Sequence, residues 1–355
     1  MFKTGVIGAG TISVKHIESY SANPFCELNA IADINIEQAQ KRAKAYNIPN
    51  VYSDYHDILN DDTIDAVSIV TPTFTHKQIV LEALAKGKHV LGEKPPALNA
   101  KDAAECRDAA KKYGKCLMYG LVRHFNSYMK YTKEYIDAGK MGKIISGEAF
   151  RLSGCSGIGG WFIDKSKSGG GPLMDSAIHQ LDSLLYLMGY PKPKAVLGFT
   201  TDMNNDLPQK MNGAKTPWSW VSADKNKYER TVESVASGYI LFENGSYIFI
   251  KTSAILNTVS TGTYIELCGE KAGVKMESWS PGKEIQLLEC TDDYYLREVK
   301  PLIDKNDAFQ EEINHFIDCC VNGTECICNA DDGVKLMEVI DAIYKSGETG
   351  EPVLF

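Results

Sequence analysis

The sequence lacks a long apolar run, an excess of positive charge and any internal repeat. No stretch of about 18 or more apolar residues occurs, so no transmembrane helix is predicted. The formal net charge is -8, with 38 lysines and arginines against 46 aspartates and glutamates. This balance disfavours nucleic acid or an anionic membrane surface as the main partner. We therefore expect neither a nucleic-acid partner nor a membrane partner.

The chain also shows no secretory signal, since Met1–Ile7 has the pattern of a strand that leads into a glycine-rich turn. It contains ten cysteines but no Cys-x-x-Cys pair. The group formed by Cys319, Cys320, Cys326 and Cys328 lacks the usual two-residue spacing and a clear second ligand pair, so we predict no metal site. Dispersed cysteines without a secretory signal favour a reducing compartment, and we expect a cytoplasmic location.

The length of 355 residues predicts two domains. Strands and helices alternate in the first third of the chain, which predicts a doubly wound parallel α/β sheet with right-handed crossovers. Predicted strands are Lys3–Ile7, Glu27–Asp33, Ala66–Thr71, His89–Glu93 and Lys115–Gly120. Predicted helices lie near Ile12–Ser21, Ile36–Tyr46, His76–Lys86 and Ala100–Tyr113. Asn35 and Gln38 form a candidate capping box for the second helix.

The pattern changes after residue 121, where hairpins replace the strand–helix alternation and predict an antiparallel sheet. Asn244-Gly245 separates two strand patterns and predicts a type I′ turn. A strong helix is predicted over Pro172–Met188, and two more helices over Ala308–Cys320 and Ala330–Lys345. Residues 202–230, with Trp218 and Trp220, are predicted as a long loop. We assign 1–121 to a Rossmann domain and 122–355 to a second domain, whose terminal segment can pack back on the first.

A glycine-rich turn follows the first predicted strand and opens the first predicted helix. The run Gly8-Ala9-Gly10-Thr11-Ile12-Ser13 matches the G-x-G-x-x-[G/A] fingerprint of dinucleotide-binding proteins, with serine in the third place. Gly8 permits the tight turn, and Gly10 lets a pyrophosphate approach the backbone. The helix N-terminus supplies N–H groups for the pyrophosphate. On its own this motif is weak, because glycine turns after strands are common.

Asp33 strengthens the dinucleotide interpretation because it ends the second predicted strand, where an acid bonds the ribose 2′-hydroxyl. The next residues are Ile34 and Asn35, so no cation follows directly to bind a 2′-phosphate. NAD(H) is therefore favoured over NADP(H). The alternative is a structural turn followed by a surface aspartate.

Two loops follow strands at the edge of the sheet where ligands bind in open α/β folds. The first contains Thr71, Pro72 and His76, and the second is Glu93-Lys94-Pro95. Lys94 would lie beside the nicotinamide. The alternative for a lysine at a strand end is an ordinary solvated charge.

The helix after the glycine-rich run at 169–171 carries a polar stripe. At about 100° per residue, Asp175, His179, Asp182 and Tyr186 fall on one narrow face, opposite an apolar face. A histidine between two carboxylates would be oriented for proton transfer. Periodicity alone leaves open whether the stripe faces solvent or a catalytic cleft.

These motifs resemble those of the Gfo/Idh/MocA family of oxidoreductases, and the resemblance spans nearly the whole chain. The Glu-Lys-Pro and Asp-x-x-x-His-x-x-Asp motifs are the most specific. The matching residues are Gly8–Ser13, Asp33, Thr71-Pro72 with His76, Glu93-Lys94-Pro95, Arg123, Gly169–Asp182, Ala330–Gly333, Ile343–Ser346 and Gly350–Val353. Ser13, Thr73, Ser234 and the loop with Trp218 and Trp220 depart from the family pattern.

The resemblance implies a Rossmann domain followed by a C-terminal α/β domain, whose large open, mainly antiparallel sheet often forms the oligomer interface. A homodimer or homotetramer is therefore expected. It implies that Lys94, Asp175 and His179 are catalytic and that the Lys94–Pro95 bond is cis. Cofactor contacts are expected from Gly8, Gly10, Thr11, Ile12, Asp33, Thr71, Pro72, His76, Glu93 and Lys94. Weaker candidates for contact with substrate are Arg123, Trp161 and Asp182; Trp161 fits a lid or plain packing equally well.

The resulting hypothesis is NAD-dependent oxidation of a secondary alcohol on a sugar, cyclitol or related polyol. His179 would take the hydroxyl proton, Asp175 would orient the imidazole, and Lys94 would stabilise developing alkoxide charge. Two alternatives stay open within the same family and fold. One is a glycosidase that uses bound NAD in a closed redox cycle, and the other is a non-catalytic regulator that senses a dinucleotide.

Overall fold

The computed structural model describes residues 1–154, 159–202, 229–277, 285–290 and 296–355. Contacts divide the chain into two compact units, Met1–Asn126 with Asn306–Met337, and Ser127–Lys305 with Glu338–Phe355. Residues 306–337 thus belong to the first unit although they follow the second sheet in the chain. The sequence-based boundary between 121 and 122 stays a prediction. Residues 203–228, which include Trp218 and Trp220 of the predicted loop, lie outside the described residues.

Strands and helices alternate along the first unit as the sequence predicted. They are β1 (Phe2–Ile7), α1 (Ser13–Ala22), β2 (Cys26–Ala32), α2 (Ile36–Tyr46), β3 (Asn50–Tyr52), α3 (Tyr55–Leu59), β4 (Ala66–Ile69), α4 (His76–Ala85), β5 (His89–Glu93), α5 (Ala100–Tyr113) and β6 (Leu117–Gly120). The sequence analysis missed β3 and α3, because three and five residues are too few to show a period.

The strands of the first unit form one parallel sheet in the order β3-β2-β1-β4-β5-β6. This order is that of a doubly wound Rossmann sheet, in which the chain reverses direction across the sheet beside β1. The glycine turn after β1 therefore lies at the carboxyl edge of the sheet, at the point where such folds bind their ligands. The predicted fold class of this part is confirmed.

The predicted capping box of α2 forms only in half. Asn35 Oδ1 accepts from the Gln38 N–H at 3.2 Å. The Gln38 side chain donates to the Ala9 carbonyl at 2.7 Å, so it does not reach back to the cap residue. The second helix is thus attached to the glycine turn through Gln38.

The second unit begins with a helix and then builds a nine-stranded sheet. Its first elements are α6 (Ser127–Asp137), β7 (Ile144–Leu152), α7 (Lys165–Ser168), a π turn (Leu173–Ala177), α8 (Ile178–Leu187), β8 (Pro193–Thr201), β9 (Val235–Phe242), β10 (Tyr247–Ser253), β11 (Gly262–Gly269), β12 (Ala272–Met276), β13 (Gln286–Cys290) and β14 (Leu296–Val299). The chain ends with α9 (Ala308–Asn322), α10 (Ala330–Thr349) and β15 (Val353–Leu354).

The sheet of the second unit has the strand order β14-β13-β12-β11-β7-β10-β9-β8-β15. The β7–β10 pair is parallel and the other pairs are antiparallel, so the predicted mainly antiparallel sheet is confirmed. One face is covered by helices: Leu184 of α8 packs near Gly147, and Ile343 of α10 packs near Gly198 and Gly238. Among the described residues, no helix combines the length and apolarity needed to span a membrane.

The predicted type I′ turn at Asn244-Gly245 is wrong. Gly245 has φ of 85°, but Asn244 does not share this positive φ, which a type I′ turn requires at both positions. Ser246 O accepts from Phe242 N at 2.9 Å, so the loop has three residues instead of two. The Asn244 side chain accepts from Ser246 N at 2.9 Å and stabilises this longer loop.

Candidate active site

The two glycines of the turn have different surroundings: Gly8 is crowded by neighbouring backbone, and Gly10 has open space beside it. Gly8 has φ of 108°, and a Cβ there would lie 2.7 Å from the Val70 carbonyl oxygen. A Cβ on Gly10 would meet no atom within 4 Å. Ser13, the departure from the fingerprint, is buried and donates to the Gly10 carbonyl at 2.7 Å. No side chain caps α1, so its N-terminus suits a dinucleotide pyrophosphate.

Asp33 lies directly beside the glycine turn. Its Oδ2 accepts from the Ala9 N–H at 2.6 Å, and its Oδ1 accepts from the Asn35 N–H at 2.7 Å. Each carboxylate oxygen has further lone-pair capacity, so a ribose hydroxyl could also donate to it. These contacts hold the carboxylate where the fingerprint needs it.

Arg42 is a cation that the sequence argument about NADP overlooked. Its Nε donates to the Ala9 carbonyl at 3.5 Å, on the same turn that holds Asp33. Arg42 does not follow Asp33 directly, and α2 carries it back toward the turn. Asp33 and Arg42 thus both contact the Ala9 backbone within the glycine turn.

His76 links the two strand-end loops. Its Nε2 lies 2.8 Å from the Thr71 carbonyl oxygen, and its Nδ1 lies 2.9 Å from the Pro95 carbonyl oxygen. Burial lowers the pKa of His76. The two carbonyl oxygens act in the opposite direction, because they accept from ring N–H groups and so favour the protonated ring. His76 thus holds together the loops that contain Thr71, Pro72 and Lys94.

Glu93 belongs to a buried hydrogen-bond chain. Its Oε1 lies 3.1 Å from His16 Nε2, and its Oε2 accepts from the Lys94 N–H at 3.1 Å. The other His16 nitrogen lies 3.1 Å from the Ser68 hydroxyl, which also contacts Tyr20. Burial alone would raise the pKa of Glu93, but its hydrogen bond and charge interaction with His16 lower it overall. The sequence analysis missed His16, because it lies on the buried face of α1 outside any motif.

Lys94 and Arg123 both have partly exposed side chains at this edge of the first unit. The expected cis bond between Lys94 and Pro95 is confirmed. Arg123 lies in a 3-10 turn, Val122–Phe125, which follows β6. The structure therefore brings the glycine turn, Asp33 and both strand-end loops to the carboxyl edge of one sheet.

The helix of the second unit that carries Asp175 and His179 begins with a π turn held by Glu233. Glu233 Oε2 accepts from the Gly171 N–H at 2.8 Å, and its Oε1 accepts from the Leu173 N–H at 3.2 Å. The Tyr344 hydroxyl donates to the same Oε1 at 2.9 Å. Burial raises the pKa of Glu233. A Cβ on Gly170 would overlap Tyr344, which explains the need for glycine there.

The polar stripe of this helix is not simply solvent-facing. Asp175 lies in the π turn and His179 in α8, and both side chains are half-buried. Asp182 is 1% exposed and accepts from the Tyr190 hydroxyl at 3.0 Å. Asp175 also lines a hollow with Arg151. A fully solvated stripe would expose Asp182, so this residue departs from that alternative, and the catalytic role of the stripe stays a prediction.

Trp161 lies in a 3-10 turn, Gly160–Ile163, after a glycine at φ of 64°. Its ring stacks on Phe162 with the centroids 3.8 Å apart. The indole is partly exposed. The roles predicted for Trp161, Asp182 and Arg123 toward substrate stay predictions.

Together, the Rossmann sheet, the glycine turn and the α/β unit define a dinucleotide-binding oxidoreductase of two parts. Comparison with known families agrees. Residues 2–121 match the oxidoreductase family model for an NAD-binding Rossmann fold, and residues 133–355 match its C-terminal alpha/beta domain. The chain belongs to this family, Gfo/Idh/MocA, and is an oxidoreductase.

Characterised relatives align along nearly the entire chain. It is 32% identical to D-glucoside 3-dehydrogenase of Escherichia coli, with 99% of this chain and 97% of the relative covered. It is 26% identical to D-xylose 1-dehydrogenase (NADP(+)) 2 of Haloferax volcanii, with 98% of each covered. A solved complex of levoglucosan dehydrogenase with NADH and levoglucosan superposes with a TM-score of 0.84 at 23% identity, covering 99% of both chains. The last comparison supports the fold.

Proposed function

We propose that this protein is an NAD(H)-dependent dehydrogenase or reductase for a secondary alcohol or ketone of a sugar, cyclitol or related polyol. The observation that carries the proposal is the glycine turn with Asp33 bonded to it. The open space at Gly10 and the uncapped start of α1 fit a pyrophosphate, and Asp33 fits an adenosine ribose. The relatives named above act on sugars, which supports the substrate class.

Three side chains would divide the chemistry of oxidation. Bound NAD supplies the hydride acceptor. His179 accepts the proton of the substrate hydroxyl while the adjacent carbon gives up its hydride. Asp175, about one helical turn before His179, orients the imidazole and stabilises its protonated form. Lys94 binds the reacting oxygen and stabilises its developing negative charge.

Glu233 is a positioning residue in this proposal. It fixes the N–H groups of Gly171 and Leu173, and so fixes the backbone that carries Asp175 into the π turn. π turns inside helices are frequent at functional sites, where they re-aim side chains. The buried Asp182–Tyr190 contact would support the same helix from its other end.

The direct test is NADH formation, followed by near-ultraviolet absorbance, with a panel of inositols, aldoses, sugar acids and glycosides. We expect NADH with NAD and one class of polyol. A different result would identify a closed redox cycle: the protein binds NAD and releases sugar from a glycoside, but forms no NADH with any member of the panel. NAD binding without any turnover of the panel would contradict the proposed dehydrogenase and favour a regulator.

The preference for NAD over NADP is proposed from the Asp33 carboxylate, which would repel a 2′-phosphate. The matched comparison is kcat/KM for both cofactors in the wild type, Asp33→Asn and Arg42→Ala. We expect the wild type to prefer NAD and Asp33→Asn to gain activity with NADP. Wild-type preference for NADP, reduced by Arg42→Ala, would show that Arg42 determines the choice.

A homodimer or homotetramer is proposed to form through the face of the nine-stranded sheet that lies opposite α8 and α10. This face carries Tyr239, which is 52% exposed, beside Phe249 with ring centroids 4.6 Å apart. Phe150 stacks on Tyr264 in the neighbouring strands at 4.7 Å. Exposed aromatic patches are typical of interfaces. Light scattering should give a multiple of the chain mass for the wild type and a smaller species for Tyr239→Glu.

We also propose a cytoplasmic location. The nine cysteines among the described residues carry thiols, as expected in a reducing compartment. Fractionation of the native source cells should place the protein with cytosolic markers, and recovery with secreted proteins would contradict this.

A further inference from the structure

Three potential metal ligands converge in the first unit, away from the glycine turn in sequence, and a fourth lies beside them. Cys116 precedes β6, His315 and Cys319 lie on α9, and Cys326 lies in the segment between α9 and α10. The donor atoms of His315, Cys319 and Cys326 all lie within 4.8 Å of one another. The Cys319 sulfur is 3.4 Å from His315 Nε2. The Cys116 thiol interacts with those of Cys319 and Cys326, so it lies beside this group of two sulfurs and one nitrogen.

These separations suit a tetrahedral zinc ion. With Zn–S near 2.3 Å and Zn–N near 2.0–2.1 Å, neighbouring ligand atoms stand roughly 3.5–3.8 Å apart. The 3.4 Å from Cys319 to His315 is close to this value, and the 4.8 Å limit requires only a small contraction. His315 and Cys319 are four residues apart on one helix, so they present their ligands on the same face.

The backbone around the cluster is already fixed. The Cys116 carbonyl accepts from the N–H of Val90 in β5 at 2.9 Å. The segment with Cys326 is held beside β6, where the Tyr119 N–H donates to the Cys328 carbonyl at 3.0 Å. Cys116, Cys326 and His315 are partly exposed, so an ion can reach the site.

We propose that Cys116, His315, Cys319 and Cys326 bind a structural zinc ion. Uptake of Zn²⁺ by three thiols and a neutral imidazole releases three protons and leaves a site with one net negative charge. Four protein ligands leave no open coordination position, which is typical of structural and not catalytic zinc. The ion would replace the Ile327 N–H, 3.2 Å away, as the partner of the His315 Nε2 lone pair.

Three thiolates at one place require a cation, because like charges at this separation repel one another. A divalent ion would stabilise all the thiolates together. The site would join the start of β6, α9 and the segment before α10, so the ion would attach residues 306–337 to the Rossmann sheet.

The sequence-based prediction of no metal considered only the cysteines between 319 and 328. Cys116 and His315 could not be added without the fold, because no local spacing links them to the others. Cys328 belongs elsewhere, since its sulfur lies 3.1 Å from His124 Nδ1. Cys320 also interacts with the Cys116 thiol and is the competing ligand that an experiment must separate from Cys326.

The test is the zinc content of the full-length protein, purified with its thiols reduced and measured by elemental mass spectrometry. We expect about one zinc ion per chain in the wild type. Cys116→Ser and Cys326→Ser should hold much less zinc. The matched control is Cys268→Ser, because Cys268 is exposed in the second unit and should leave the zinc content unchanged.

A cobalt titration of the reduced wild-type protein keeps the proposal testable even if the variants unfold. Co²⁺ should give the thiolate charge-transfer absorption of a tetrahedral site, and added Zn²⁺ should remove it. Reduced protein that binds neither ion, or a Cys326→Ser variant with as much zinc as Cys268→Ser, would overturn the proposal. Loss of zinc in Cys320→Ser but not in Cys326→Ser would overturn the ligand assignment.

Discussion

Glu233→Gln is the variant that most sharply tests how the helix carrying Asp175 and His179 is positioned. In the wild type the carboxylate accepts three hydrogen bonds, from Gly171 N, Leu173 N and Tyr344 Oη, at 2.8, 3.2 and 2.9 Å. A glutamine keeps one accepting oxygen but turns an NH₂ group toward a backbone N–H or a hydroxyl. At least one bond is therefore lost, and the others lose the help of the negative charge.

The expected loss of stability follows from these bonds. Hydrogen bonds to charged groups contribute about 1.5–3 kcal/mol each, against about 0.5–1.5 kcal/mol for neutral ones. Burial raises the pKa of Glu233, so the charged form also carries a desolvation cost that offsets part of the gain. We expect a net loss of about 1–3 kcal/mol in the free energy of unfolding. For a unit of this size the melting temperature should fall by roughly 2–12 °C.

Activity should fall further than stability alone explains. A displacement of about 1 Å in catalytic groups can reduce turnover by about 100-fold. We therefore expect kcat to decrease by about 10- to 100-fold while the Kd for NAD is unchanged. Calorimetry, thermal melting and steady-state kinetics measure the three quantities. Glu243→Gln, at an exposed hairpin position, is the control, and equal behaviour of the two variants would refute the positioning role.

Two further predictions concern the first unit. Gly8→Ala should abolish NAD binding and lower the melting temperature, because Gly8 has φ of 108° and the new Cβ would clash with the Val70 carbonyl. The control is Gly114→Ala, which also has positive φ but places its Cβ in open space and should retain NAD binding. The pKa of Glu93 in the folded protein lies below its unfolded value of about 4.3. Ionised Glu93 therefore stabilises the fold above a pH of about 4.3, and this stabilisation is lost as the pH falls through the folded pKa. Melting curves across acidic pH should therefore show a weaker pH dependence in Glu93→Gln, and an unchanged slope would count against the His16–Glu93 interaction.

Local sequence patterns predicted the elements that are long or chemically marked. The strand–glycine–helix run at Gly8–Ser13 and a helix over 172–188 needed only periodicity and turn chemistry. The π turn at Leu173–Ala177, which opens that helix, was not predicted. The hairpin at Asn244 was assigned the wrong turn, because the asparagine side chain stabilises a three-residue loop that the dipeptide signal does not reveal.

Contacts between distant residues account for most of what the sequence analysis missed. Glu233 is separated by 62 residues from Gly171 and by 111 from Tyr344, so no local spacing could connect them. His16 and Glu93 are 77 residues apart and meet only because α1 packs on the parallel sheet. The run Gly169-Gly170-Gly171 indicates in the sequence that another group approaches this backbone closely. The sequence does not show that Glu233 is the group that approaches Gly171.

The central claim, hydride transfer from a carbinol carbon to NAD, is tested most directly by isotope transfer. The polyol found in the panel, deuterated at its reacting carbon, is incubated with NAD and the protein, and the reduced cofactor is analysed by mass spectrometry. We predict deuterium in NADH from the wild type and from His56→Asn, an exposed histidine variant, and almost none from His179→Asn. Unlabelled NADH from the wild type, or equal labelling by His179→Asn, would contradict the account.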